Sequence, residues 1–259
     1  GVACVSDGVR PSAVPGAGGP GDAVGRDLYA GRRALDAVAR ALIVTDRAQN
    51  PTGAAVSAAR ARALRGVLRQ YPDTLLIEDD HGHRIVDLPL HPLAGTTRNW
   101  AFVRSVAKAY GPDLRLAVLT GDAVTLDRVL GRQRLGPGWV SRIVQRAVLR
   151  LWSDGAVDTH AVAAAYGRRR DALIGALADR GIAAHGLSGM NVWIPVPDET
   201  GAVARLLHAG WAVAPGARFR LSAPPGIRIT VSALAAHETG PLADAVASAV
   251  GPAPARHHV

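Results

Sequence analysis

The stretch that most constrains this chain is residues 99–122, NWAFVRSVAKAYGPDLRLAVLTGD, which sets two short apolar runs on either side of a Gly111-Pro112 break. Runs of this length bounded by turn residues suit buried strands better than helices. Lys108 is the isolated amine between them, with Arg104 and Arg115 near it in sequence. An amine partly desolvated beside other cations loses its proton near neutral pH and becomes a nucleophile, the state that Schiff-base chemistry needs. The expectation is one amine held in a loop between two buried strands.

Two further strand ends precede it. Residues 74–77 form an apolar run that ends in Glu78-Asp79-Asp80, and residues 41–45 form another, followed by the turn Gln49-Asn50-Pro51-Thr52-Gly53. In an open parallel sheet, ligands bind at the carboxyl ends of the strands. Asn50, Asp79 and Lys108 are therefore expected at one crevice. Ser57 is the expected N-cap of a helix reaching residue 70, with Ala58, Ala61, Leu64, Val67 and Leu68 on one face. Strand, helix and strand in that order make a βαβ unit.

QNPTG, IEDDHGH and SVAKAYGPDLRL, in that order, resemble the motif set of the class I/II aminotransferases of pyridoxal phosphate (PLP) fold type I. The EDDH form, with WAFVRSVAKAYGPDLRLAVLTGD and GRQRLGPGWVS, is most similar to the aminotransferase-like domain of MocR/GabR-type regulators. The resemblance covers residues 41–250. It implies an α/β fold: a mostly parallel sheet flanked by helices, present as a partial large domain, plus a small C-terminal α/β domain.

The resemblance also implies the cofactor PLP and a role for each matching residue. Lys108 would form the Schiff base and, once freed, move the proton in transamination. Asp79 would pair with the pyridinium nitrogen, Asn50 and His81 would hydrogen-bond the ring oxygen, and Ser105 and Arg115 would hold the phosphate. Arg228 would clamp the α-carboxylate of an amino acid. His81 stands where many family members carry a tyrosine. Members also carry, ahead of the matched motifs, a glycine-containing phosphate loop and an aromatic that stacks on the ring, and neither is recognisable in this sequence.

Two functions follow from the resemblance: an aminotransferase, or a detached or truncated sensing domain of a regulator whose separate winged-helix segment reads DNA. Either implies an amino-acid substrate or effector and a homodimer. A fragment serving as an interaction subunit is a third possibility. No helix-turn-helix pattern is evident, so direct nucleic-acid binding by these residues is not expected.

Arg228 can be weighed without the resemblance. It lies in the apolar run 227–231, where a buried guanidinium requires an anion, whereas on a half-exposed strand it would face solvent. The remaining pattern gives helices at 123–133, 138–152, 159–180, 199–209 and 235–250. It gives strands at 190–196 and 211–214, the first with period-two alternation. The expected organisation is a poorly matched segment 1–30 with a Gly/Pro/Ala-rich loop at 11–25, a PLP-binding large domain 31–155, and a small domain 156–259. Residues 32–40 read as helical.

The net charge of +9 favours polyanions only if it is clustered. It is scattered, and Arg168-Arg169-Arg170, on a helix whose stripe is Val162, Tyr166, Leu173 and Leu177, reads as a solvated face. His81, His83 and His91 with Asp79 and Asp80 are metal-ligand types, but no spacing enforces the geometry, so no metal is expected. A single cysteine, Cys4, suits a reducing compartment. With no apolar run near the roughly 20 residues of a membrane span and no leader pattern, the expectation is a soluble, cytoplasmic protein.

Overall fold

The computed structural model describes residues 2–5, 35–36, 39–136, 138–220 and 223–250. The loop expected at 11–25 and most of the helix expected at 32–40 lie outside them. The chain divides into two compact units, residues 1–49 with 54–165, and residues 50–53 with 166–259.

The first unit is built on a five-stranded sheet in the order β1-β2-β3-β4-β5. The strands are β1 (Val2–Val5), β2 (Ala41–Thr45), β3 (Leu75–Asp79), β4 (Trp100–Ser105) and β5 (Ala117–Gly121). The first four are parallel and β5 is antiparallel to β4. Helix α1 (Ala58–Leu68) links β2 to β3, and Ser57 caps it by accepting from the Arg60 amide at 3.2 Å. Its buried residues are Arg60, Ala61, Leu64 and Leu68. The two leucines pack with Leu42, Val44 and Leu76 of the sheet, each contributing about 1.5–3 kcal/mol. The expected apolar face therefore includes an arginine and omits Ala58, which is exposed.

Two expectations around β4 change. Lys108 sits in a single-turn helix, α2 (Ala107–Tyr110), rather than in a loop. Strand β5 is exposed along most of its length, with Val118 47% and Leu119 36% accessible, not buried. An apolar run reports hydrophobicity and not what covers it. Beyond β5 come α3 (Ala123–Arg134), α4 (Arg142–Ser153) and α5 (Thr159–Ala178), the last crossing into the second unit. Asp122 both caps α3 through the Thr125 amide (3.0 Å) and accepts from the Trp100 amide (2.7 Å), fixing the start of β4 to the end of β5.

The second unit holds a three-stranded antiparallel sheet in the order β6-β8-β7. Its strands are β6 (Asn191–Pro195), β7 (Ala214–Pro215) and β8 (Gly226–Thr230). Residues 211–213 are not strand, contrary to the sequence pattern, and β7 is only two residues long. Strand β6 buries Val192, Trp193 and Ile194 in succession, so both its faces are covered and the expected alternation is absent. Helices α6 (Glu199–His208) and α7 (Thr239–Val250) pack Leu206, Leu242 and Val246 against Ile194, Ile227 and Leu177. The arginine run of α5 is not a purely solvated face. Arg169 donates to the Ser232 carbonyl at 2.7 Å and Arg170 to the Gly189 carbonyl at 3.2 Å, tying the helix to neighbouring loops of its own unit.

Candidate active site

Strand alternation sorts the acidic run Glu78-Asp79-Asp80 onto two faces. Leu76, Glu78 and Asp80 are buried, whereas Leu75, Ile77 and Asp79 are partly exposed. Asp79 pairs in register with Val103 of β4, and Lys108 follows the end of that strand. Acid and amine thus come from the carboxyl ends of adjacent parallel strands, and each feels the other's charge.

The surroundings shift both groups downward. Burial raises the Asp79 carboxyl, but the hydrogen bond and charge of His81, followed by the charge of Lys108, outweigh it and hold the group below the ordinary aspartate value. Burial lowers the Lys108 ammonium, and Asp79 restores only part of the shift. Taken as a whole residue Lys108 is exposed, so the effect acts on a side chain that solutes can reach.

His81 is fixed from both sides. Nε2 donates to the Ala48 carbonyl at 2.8 Å, while Nδ1 faces Asp79 Oδ2 at 3.0 Å. Both ring nitrogens are thereby engaged within the protein, and the histidine orients the carboxylate. Ser105 Oγ accepts from the Ala107 amide at 3.3 Å, at the first turn of α2, and Arg115 is exposed beyond it.

The opposite face of the same strand end is an ion lattice. Asp80 is fully buried and takes a bidentate contact from Arg47, with Nε and Nη2 at 3.1 and 2.9 Å from Oδ1 and Nη2 at 2.8 Å from Oδ2. Arg104 Nε adds a bond to Oδ2 at 3.0 Å. Beneath it, Asp46 and Glu78 are both buried. Burial, then the neighbouring Glu78 carboxylate, push Asp46 up to about 9, and burial raises Glu78 as well. Glu78 keeps a bond from the Leu93 amide at 2.5 Å.

The second unit contains the other two expected site residues, and they touch. Arg228 Nη1 donates to Asn50 Oδ1 at 2.8 Å. The guanidinium lies 4.8 Å from the Phe219 ring centroid, and its buried Nε has no hydrogen-bond partner. Among the described residues no carboxylate pairs with it; burial and then the charge of Arg218 lower its pKa. The Asn50 turn is held by Ser188, whose amide and hydroxyl both donate to the Gly53 carbonyl at 2.8 Å. Gly53 has φ +68°, and a Cβ there would meet the Ser188 carbonyl oxygen at 2.7 Å, so the turn requires glycine.

One sequence signal adds weight to Lys108 alone. Of the 30 Lys+Arg residues, 29 are arginine, and Lys108 is the single lysine of the chain. A guanidinium cannot lose its proton in a protein, whereas an ammonium can. The lattice of Arg47, Asp80 and Arg104 had no such signal, since its contacts span 33 and 24 residues.

Comparison with known proteins places this geometry in context. The family model for aminotransferase class I and II matches residues 24–246. A curated relative, the vitamin B6 salvage pathway transcriptional repressor PtsJ of Salmonella typhimurium, is 40% identical over 216 residues, covering 82% of this chain and 50% of the relative. This chain therefore spans about half the length of that relative. Among solved structures, aspartate aminotransferase from Thermus thermophilus superposes with a TM-score of 0.77 at 24% identity, covering 86% of this chain and 60% of that one. LysN, an α-aminoadipate aminotransferase also from Thermus thermophilus, gives 0.78 at 19% identity, covering 86% and 62%. These likenesses establish the fold. Among the described residues no helix is long and apolar enough to cross a membrane.

Proposed function

We propose that this chain, which belongs to the class I and II aminotransferase family, holds PLP on Lys108 and through it acts on or senses an amino acid. What supports the reading most is one observation. The only lysine of the sequence lies where burial lowers its proton affinity, within electrostatic reach of a carboxylate held ionised by a histidine.

The residues present fit the group. A cofactor of this kind needs an amine, an anion for its ring nitrogen, donors for its phosphate and a cation for the substrate carboxylate. Lys108, Asp79, Ser105 with Arg115, and Arg228 are of those types. When bound, PLP supplies an electron sink for a carbanion. Asp79, its Oδ2 held by His81, would keep the ring nitrogen protonated. Asn50 would hydrogen-bond the ring oxygen, and His81 would contribute through Asp79. Lys108 Nζ, once displaced, would shuttle a proton to and from the substrate's α-carbon. The buried, unpartnered Nε of Arg228 supports a carboxylate as its partner, since a guanidinium fork suits bidentate oxyanions.

A second reading rests on its own observation. The 40% identical relative is a transcriptional repressor of which this chain spans half, so the same residues would serve as a sensing domain. Both readings imply a dimer. The test is the visible spectrum of the purified chain after addition of PLP, and then of amino acids one at a time. An absorbing adduct absent in Lys108→Ala supports the proposal, and identical spectra for the two proteins refute it. Keto-acid production separates catalysis from sensing.

A further inference from the structure

On the face opposite Asp79, a cavity of about 420 Å³ is lined by His83, Arg84, Arg104, Tyr110, Trp152 and two valines. Its size falls within the range of about 300–1,000 Å³ typical of small-molecule sites. All its residues belong to the first unit, and the function proposed above uses none of them.

Its polar wall carries uncompensated charge. The oxygens of the buried Asp80 are taken up by Arg47 and by Arg104 Nε. Arg104 contributes only that one nitrogen to the carboxylate, which leaves both terminal nitrogens of its fork without an acceptor among the described residues. Arg84 makes one long contact, Nη1 to the Thr159 hydroxyl at 3.4 Å. It does so from a left-handed backbone (φ +65°), a conformation that is strained for a non-glycine residue and persists where the surroundings demand it. His83, driven down to about 4 by burial and by Arg104, is neutral and can donate or accept. Two guanidinium groups therefore line one space: Arg104, which shares the buried Asp80 carboxylate with Arg47, and Arg84, which has no carboxylate partner among the described residues.

The other wall is aromatic. Tyr110 and Trp152 meet edge to face with centroids 6.3 Å apart, and Trp152 remains 42% exposed. A planar ring placed against them would cover that surface, as aromatic pairs favour. We propose that this cavity binds a small acid made of one planar ring bearing a carboxylate or phosphate, with the oxyanion on Arg84 and Arg104 and the ring against Tyr110 and Trp152.

The test is calorimetric titration of the purified chain with benzoate and with phenyl phosphate, using acetate and inorganic phosphate as ringless controls. Saturable one-to-one binding of a ring-bearing probe is expected, at least about tenfold tighter than its ringless control. Whichever of the two binds tighter identifies the oxyanion. Arg84→Asn, which tolerates the left-handed backbone and so keeps the fold, is expected to weaken binding about tenfold, the loss of one charge-assisted contact. Trp152→Leu should bring the ring-bearing probes down to their controls. Lys108→Ala and Arg115→Ala should leave the affinity unchanged. Absence of saturation, equal affinity in Arg84→Asn, or loss of binding in Lys108→Ala or Arg115→Ala would each overturn the assignment.

Discussion

Asp79 and Asp80 are adjacent in sequence and identical in chemistry, yet they do opposite work. Asp80 has no exposed side-chain surface and is clamped by two arginines, whereas the Asp79 side chain is 43% exposed and faces a histidine and the amine of Lys108. Strand alternation alone separates them, turning one carboxylate into structure and leaving the other available for chemistry. The difference teaches that the strongest ion pairing at this strand end marks the scaffold. The more weakly held carboxylate marks the candidate site.

The comparison can be broken most forcefully at Asp80. Asp80→Ala leaves the Arg47 guanidinium buried without its partner and should destabilise the fold by about 3–5 kcal/mol in urea denaturation. Asp79→Ala should change stability by less than about 1 kcal/mol, while abolishing the visible PLP adduct. If both variants lose similar stability, the two faces are not different in kind.

A subtler test lies beneath Asp80, in Asp46. Its folded value of about 9 lies above the ordinary 3.8, so between those limits the folded chain holds a proton that the unfolded chain releases. The stability contributed by the neutral acid is complete below about pH 4 and is lost as pH rises towards 9, with a slope of up to about 1.4 kcal/mol per pH unit for one linked proton. Asp46→Asn should flatten that decline in denaturation curves collected across the window. An unchanged profile would show that Asp46 ionises normally in the fold.

The smallest expected effect concerns His81. His81→Leu removes the main group that lowers Asp79, so the Asp79 carboxyl should titrate higher, observable by carbon NMR of labelled aspartate. No movement would assign the low value to Lys108 alone.

Much of this was legible before any coordinates. The strand at 41–45, the core of the strand observed at Leu75–Asp79, the Ser57 cap and the order of QNPTG, EDDH and SVAKAYG follow from local pattern, and local pattern is what a linear sequence carries. The partners of the acids were not legible, because Arg47 reaches Asp80 across 33 residues and no periodicity encodes that pairing. Nor was the exposure of β5, since Val118 and Leu119 read as core until their covering is known. Alternation alone does not decide between a buried and a solvent-facing Arg228. Its contact with Asn50, 178 residues away, and its buried Nε resolve it as a half-buried cation without an acid among the described residues.

The most direct measurement uses the fact that the chain has one lysine. After incubation with PLP and reduction with borohydride, peptide mass mapping should find one phosphopyridoxyl group, on the peptide containing Lys108, and none on the corresponding peptide of Lys108→Ala. Label found only on the N-terminal amine, or no label at all, would contradict the account.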